Sequence, residues 1–446
     1  MNIKIEPLIE SIRANFWFVP SMMIIFTLLM AIVTIWIDIA MLGELKSYLP
    51  IIYSTDVAAI RSLLSTIAAS MITVTSIAFS ITIVALTLAS SQFGPRLLRN
   101  FMKDRTTQAV LGVFISNFLY CIFIFCALSL VPPYNFRPGI TVLWAILMTS
   151  VSIGFLIHFI HHVSVSIQAD SVVEDVYCEL KENIERLFPS SSTRDILHED
   201  DESILESLGK SDYIFSTELR TTKSGYVQLI DLLPLIKQLA SSDLQLQLHF
   251  SPGNYVVKGS VFGLLYAKRP IKKDITANTK KHFILGAVRT PVQDPVFAIG
   301  QLVEIALRAL SPSINDPYTA ITCIDKLSST LCSLAMREFP KSNFKDDNNE
   351  LRLHCKALTF IDVANAAFDQ IRRHARNNVT VTIRLLESLE QLALRANNKE
   401  QYQFIYEQIK MISEQQEHLN IAQLDNKAIV DKIYSVKLYL SANNKT

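Results

Sequence analysis

The 446-residue chain has no excess of charge of either sign: 42 lysines and arginines stand against 41 aspartates and glutamates, a formal net charge of +1. No global field therefore draws it to nucleic acid, and no basic tract longer than a few residues appears, so nucleic acid is set aside as a partner. Its six cysteines lack metal-ligand spacing. Cys121 and Cys126 sit inside an apolar run, and Cys178, Cys323, Cys332 and Cys355 are scattered through the second half; they read as reduced packing thiols, with no metal or cofactor implied. Catalytic signatures are missing too. There is no Walker loop, G-x-G-x-x-G, G-x-S-x-G or His-Glu-x-x-His, and the nine histidines meet carboxylates only in chance pairs such as His374 near Asp369. The chain does not read as an enzyme.

What it has is apolar sequence, and this is concentrated. Nearly all long uncharged stretches lie before about residue 165, so the mean hydropathy of +0.28 averages two regions that live in different solvents. Spans at about 17–40, 63–91, 109–131 and 140–163 each exceed the roughly 20 residues needed to cross hydrocarbon. Together they define a transmembrane domain over 1–165. The first is about twice the length of a signal-peptide apolar core and lacks a small-x-small cleavage site, so it reads as a retained anchor. Lys4, Arg13, Arg96, Arg99, Lys103 and Arg105 precede span one or lie between spans two and three, while the alternate loops hold only Lys46, Arg61 and Arg137. That bias predicts both termini in the cytoplasm and residues 41–62 and 132–139 outside, with Phe16, Trp17 and Phe18 in the inner aromatic belt.

Span two is unusual. Thr66, Thr73, Ser80 and Thr87 recur every seven residues, and Ser62, Ala69, Ser76 and Ser90 occupy the companion heptad position, with Ile83 the bulky exception. Such spacing lays small hydroxyl-bearing residues along one helix face. Two readings compete. In one, the stripe lets a neighbouring helix approach closely, its hydroxyls bonding their own backbone or a partner; in the other, copies of span two surround an axis and Thr66, Thr73, Ser76, Ser80 and Thr87 line a wetted path. At its end, Gly94-Pro95 breaks the helix, and Arg96 and Arg99 suit lipid phosphate, a positive pore mouth or an ordinary positive-inside anchor. Other polar groups in the spans are few: Asp38 is expected at the outer interface, Asn117 in an interhelical hydrogen bond, and His158 and His162 on one face of span four without an acidic partner nearby in sequence.

After the spans, residues 166–212 read as a helical stalk running on from span four and then a polar linker containing His198-Glu199-Asp200-Asp201-Glu202. Residues 213–290 read as a small, mostly antiparallel β module, with a hairpin turn at Lys223-Ser224-Gly225 and a partly closed barrel as one form it could take. The remainder, 291–446, is a helical domain with a polar loop at 341–350 and helices at about 318–338, 351–374, 379–396, 399–416 and 424–441. The predicted fold class is therefore an α-helical membrane protein followed by an α+β cytoplasmic domain. Asp294 is placed to cap one helix, and Ser311, Ser313, Asn315, Asp316, Pro317 and Thr319 form a tight turn before the next. That turn reads as helix capping, with an anion site or subunit contact as the alternative.

Three strings together resemble a known family: Ser76-Ile77-Ala78-Phe79-Ser80, Ser90-Ser91-Gln92-Phe93-Gly94-Pro95-Arg96-Leu97-Leu98, and Ala309-Leu310-Ser311-Pro312-Ser313-Ile314-Asn315-Asp316-Pro317-Tyr318-Thr319-Ala320. They resemble the bacterial predicted membrane proteins of domain of unknown function 2254, with Glu304 and Ser313 where that pattern favours aspartate and glycine. The resemblance implies a multi-pass protein of the bacterial inner membrane and supplies no reaction. The stripe and the basic residues beside it lead to the expectation of a homo-oligomeric channel or pore-like protein in the lipid bilayer. The alternative is a non-conducting scaffold or sensor whose cytoplasmic domain binds a partner, ion or other ligand.

Overall fold

The computed structural model describes residues 16–40, 55–97, 101–102, 104–129, 137–188, 213–340, 342–417 and 422–443. The acidic linker string at 198–202 and Arg99 lie outside these residues. The chain divides into two units, Met1–Val172 and Val173–Thr446.

Four helices long and apolar enough to cross a membrane build the first unit: α1 (Phe18–Ala40), α2 (Val57–Phe93), α3 (Arg105–Ala127) and α4 (Ile140–Ser166). Helix α3 is the hub and packs against each of the other three. Ile60, Leu64, Ile67 and Met71 of α2 meet Tyr120 and Ile124 of α3 in one buried cluster, and Ala78, Val110, Phe114 and Phe159 form a second. The approach of α1 to α3 needs glycine, since a Cβ on Gly112 would lie 2.6 Å from Met23 Sδ and 3.2 Å from Pro20 Cα. Asn117 does make the expected interhelical bonds, its Nδ2 donating to Thr149 Oγ1 and Ser152 Oγ of α4 at 3.3 Å each.

Asp38 is a correction. Near the end of α1 it is fully buried among the helices rather than exposed, and its carboxylate accepts the backbone N–H groups of Gly139, Ile140 and Thr141 at 3.0, 2.9 and 3.1 Å and the Thr141 hydroxyl. Helix α4 begins at Gly139, which has no side chain to cap its own orphan donors, so the last turn of α1 supplies the cap. Tyr120 Oη donates to the Thr141 carbonyl at 3.1 Å and lies 3.0 Å from Thr34 Oγ1, tying α3 into the same cluster.

The stalk does not run on unbroken from span four. Helix α4 ends at Ser166 and α5 (Ala169–Leu187) starts afresh, because Gln168 N–H turns to the Val165 carbonyl at 3.1 Å and tightens the last turn.

In the second unit the β structure forms two sheets rather than a barrel. Strands β1 (Phe215–Arg220), β2 (Gly225–Ile230), β3 (Leu244–Leu248), β4 (Tyr255–Val256), β5 (Val261–Ala267), β6 (Phe283–Gly286), β7 (Asn343–Lys345) and β8 (Leu351–Cys355) pair in the orders β1-β5-β3-β8-β7 and β4-β2-β6. Lys223-Ser224-Gly225 does not close a hairpin. Thr221 N–H bonds the Ser260 carbonyl and Gly259 N–H the Thr221 carbonyl, each at 3.0 Å, so the chain stays with the β5 side before crossing to the second sheet. Two short helices, α6 (Leu232–Ser241) and α7 (Lys273–Lys280), lie between the strands. The helix expected from residue 351 is strand β8 instead, parallel to β3, with Leu351, Arg352 and Leu353 all buried.

Arg352, on β8, gathers the sheet's periphery. Its nearly buried guanidinium donates to Asp346 at 2.7 Å, to Asp243 at 2.8 Å, to the Tyr213 hydroxyl at 3.2 Å and to Glu350. Hydrogen bonding from Arg352, joined by Lys268, holds the Asp243 carboxyl down at about 2 against burial.

Helices α8 (Pro295–Ala309), α9 (Pro317–Leu334), α10 (Phe360–Ala375), α11 (Val379–Ala393), α12 (Lys399–Glu417) and α13 (Gln423–Asn443) complete the unit. Asp294 caps α8 as the sequence implies, accepting from Phe297 N at 3.1 Å. A chain of aromatic contacts, Phe188–Phe339–Phe360–Phe404–Phe368, at 4.9, 6.0, 6.2 and 5.8 Å, joins α5 to α10 and α12.

Two outcomes follow. Asp38→Ala strands buried N–H donors at the start of α4 and is expected to destabilise the detergent-solubilised protein by about 2–4 kcal/mol; an unchanged thermal midpoint would refute the capping role. Because the folded pKa of Asp243 lies below the ordinary 3.8, the stability it contributes is present above 3.8 and is lost as pH falls toward about 2. Asp243→Asn should flatten the acid limb of unfolding in that window, measured by circular dichroism against pH.

Candidate functional site

Helix α2 has 37 residues, about 55 Å at 1.5 Å per residue, against a hydrocarbon core of about 30 Å. One face is committed: Ile60, Leu64, Ile67, Ala68, Met71, Thr75 and Ala78 are buried. At 100° per residue the heptad stripe falls on the opposite side of the helix. Thr66, Thr73, Ser76, Ser80 and Thr87 are all exposed there. No other described span of the chain covers them.

Each of these hydroxyls donates to the carbonyl four residues earlier: Thr66 to Ser62 at 2.8 Å, Thr73 to Ala69 at 2.9 Å, Ser76 to Ile72 at 3.0 Å, Ser80 to Ser76 at 2.9 Å and Thr87 to Ile83 at 2.9 Å. The hydrogen is consumed locally, so what points outward is a row of oxygen lone pairs, flanked by the exposed apolar side chains Ile72, Ile77, Ile83 and Val84. A surface of this kind fits a close helix neighbour, water or a cation.

The helix stops where Gly94 takes φ +117°, a conformation other residues rarely adopt. Pro95–Leu97 forms a short 3-10 turn that buries Phe93 and Leu97 and leaves Arg96 exposed. Its neighbour Arg99 lies outside the described residues.

A polar pair that the sequence did not disclose lies on α3 and α4. Asp104 caps α3, accepting from Thr106 N and Thr107 N at 3.1 Å each, and also lies 2.8 Å from His162 Nε2 on α4. Their separation of 58 positions hides the partnership in sequence. His158 stacks on His162, their ring centroids 6.1 Å apart.

In the second unit the turn at 311–320 closes a helix hairpin between α8 and α9. Asn315 takes φ +50°, its N–H bonding Ser311 O at 2.8 Å, and Asp316 N–H reaches back to Ala309 O at 2.8 Å. Asp316 caps α9, accepting from Tyr318 N and Thr319 N at 3.1 Å each and from the Thr319 hydroxyl at 2.5 Å. Pro317 occupies the first turn of α9, where its missing N–H costs no hydrogen bond. Ser311 Oγ and Ser313 Oγ are 3.3 Å apart. The negative charge at this helix end thus comes from the chain itself, while Ile314 and Tyr318 face outward. Among the described residues no group of three or more His, Cys, Asp or Glu is gathered to hold a metal.

The family described as predicted membrane protein, domain of unknown function 2254, matches residues 13–391. The chain belongs to that family. Uncharacterized proteins of Mycobacterium bovis and Mycobacterium tuberculosis are similar to it, each 33% identical over 341 residues, which is 75% of this chain and 63% of theirs. The chain therefore spans under two thirds of the length of these relatives. No solved structure matches it.

If the turn acts only as a cap, replacing Asn315 and Asp316 together by alanine should lower stability by about 1–2 kcal/mol. Oligomeric state, read by light scattering in detergent, should not change. Dissociation at preserved stability would instead make the turn a subunit contact.

Proposed function

We propose that the protein is a homo-oligomeric, pore-like protein of the bacterial inner membrane, with copies of α2 arranged around an axis. The observation that carries this reading is the exposure of the entire hydroxyl stripe on the face of α2 turned away from its own bundle. Polar oxygens facing acyl chains gain nothing there, whereas identical stripes facing one another across a wetted axis do. Strict seven-residue spacing is also the repeat that keeps one seam of a helix turned toward a copy of itself. The basic bias of the flanks puts both termini and the second unit in the cytoplasm, so that Arg96 stands at the cytoplasmic mouth.

One observation favours a second reading. Every stripe hydroxyl is satisfied by its own backbone, which suits a dry helix contact in a non-conducting scaffold equally well. Conductance separates the two. In planar bilayers the purified protein is expected to pass ions, and Thr73→Leu and Ser80→Leu should reduce unitary conductance while leaving the thermal midpoint in place. Absence of conductance in the wild type, with oligomers intact, would overturn the pore reading in favour of the scaffold.

A further inference from the structure

Residues 268–282 hold six bases, Lys268, Arg269, Lys272, Lys273, Lys280 and Lys281, against the single acid Asp274, a net of +5 in a chain whose total is +1. They come as three adjacent pairs rather than one run. The fold places them before, at the start of and at the end of α7. Lys268 is paired with Asp243 at 3.0 Å, whereas Arg269, Lys272 and Lys273 are exposed and form no ion pair among the described residues.

Beside the C-terminal end of α7 an open groove of about 360 Å³ is lined by Gln238, Ser242, Ile275, Asn278, Lys281 and His282. Its size falls in the range of small-molecule sites, and its lining contains a lysine and no carboxylate. Internal hydrogen bonds fix the direction of its polar groups. Thr279 Oγ1 donates to the Ile275 carbonyl at 2.9 Å, so its oxygen accepts from Gln238 Nε2 at 3.1 Å. Gln238 Oε1 is then an acceptor and takes the Nε2–H of His282 at 2.8 Å. Lys281 Nζ gives one hydrogen to Asn278 Oδ1 at 2.8 Å. That leaves two ammonium hydrogens, the Asn278 Nδ2 hydrogens and the Ser242 hydroxyl as donors around the hollow, with Ile275 as its apolar wall.

We propose that this groove binds a phosphate-bearing small molecule. Lys281 and Asn278 contact the phosphate oxygens, and Arg269, Lys272 and Lys273, before and at the start of α7, which is about 12 Å long, steer the anion toward them. A phosphate group is the complement because it offers several acceptor oxygens and a charge to a site that has donors and one fixed cation. This assignment is independent of whether α2 lines a pore.

The test uses the full chain in phosphatidylcholine nanodiscs, titrated calorimetrically with inorganic pyrophosphate. Saturable binding is expected, weakened by added salt. Lys281→Ala and Asn278→Asp, both at exposed positions, should each weaken it about tenfold, and Lys399→Ala should leave it unchanged. Nanodiscs that also contain phosphatidylglycerol tell the sources apart: loss of pyrophosphate binding there assigns the groove to a lipid headgroup, and undiminished binding assigns it to a free phosphate compound. No saturable binding in phosphatidylcholine, or wild-type affinity in both groove variants, would overturn the proposal. If either variant shows a lowered thermal midpoint, Lys281→Gln decides on the same criterion.

Discussion

A buried carboxylate that closes the amino end of a membrane helix is the constraint on which the first unit rests. Hydrocarbon offers no hydrogen bonds, so the first N–H groups of α4 need acceptors from protein, and Gly139 cannot provide one. Asp38 meets three of them at about 3 Å and in return has its own charge compensated by N–H groups and the positive end of the α4 dipole. The same contact fixes the end of α1 against the start of α4. Tyr120, bonded to Thr141 and beside Thr34, then sets the level at which α3 passes between them.

With α3 at the centre, α1, α2 and α4 each keep an uncovered face, and that of α2 is the one that carries the hydroxyl stripe. The aliphatic side of α2 packs on α3, and its other side carries the hydroxyls outward. The two faces obey different rules. The buried one is filled by Leu64, Ile67 and Met71, whose volumes must match α3; the exposed one carries the hydroxyl stripe, each hydroxyl bonded to its own carbonyl, flanked by the exposed Ile72, Ile77, Ile83 and Val84.

Features legible in the sequence were those decided over a few residues. The four spans follow from apolar length, the caps at Asp294 and Asp316 from residue type just before a helical repeat, and β3 from the strict alternation over 244–250. What escaped was settled by partners far away in sequence. Asp38 looks interfacial because nothing near it shows that Gly139–Thr141 will arrive 101 to 103 residues later. Asp104 and His162 are hidden from each other for the same reason. Strand β8 reads as part of a helix because the run from 351 is continuous with α10, and only its parallel pairing with β3 and the carboxylates around Arg352 make it extended. Helix α7, rich in Thr, Lys and Asn, has too little apolar periodicity to announce itself.

Polar residues in the first unit include ones bonded between helices and hydroxyls bonded within their own helix, the latter on α2 and also at Ser150 and Ser164 of α4. Asp38, Asn117, Thr141 and Tyr120 are buried and bonded between helices, where each removes a cost that hydrocarbon would otherwise impose. The α2 hydroxyls are exposed and bonded only within their own helix, so no internal packing need accounts for their repeated placement. The seven-residue recurrence of these hydroxyls along more than four turns, on a face its own bundle leaves uncovered, is the observation on which the proposed arrangement of α2 copies rests.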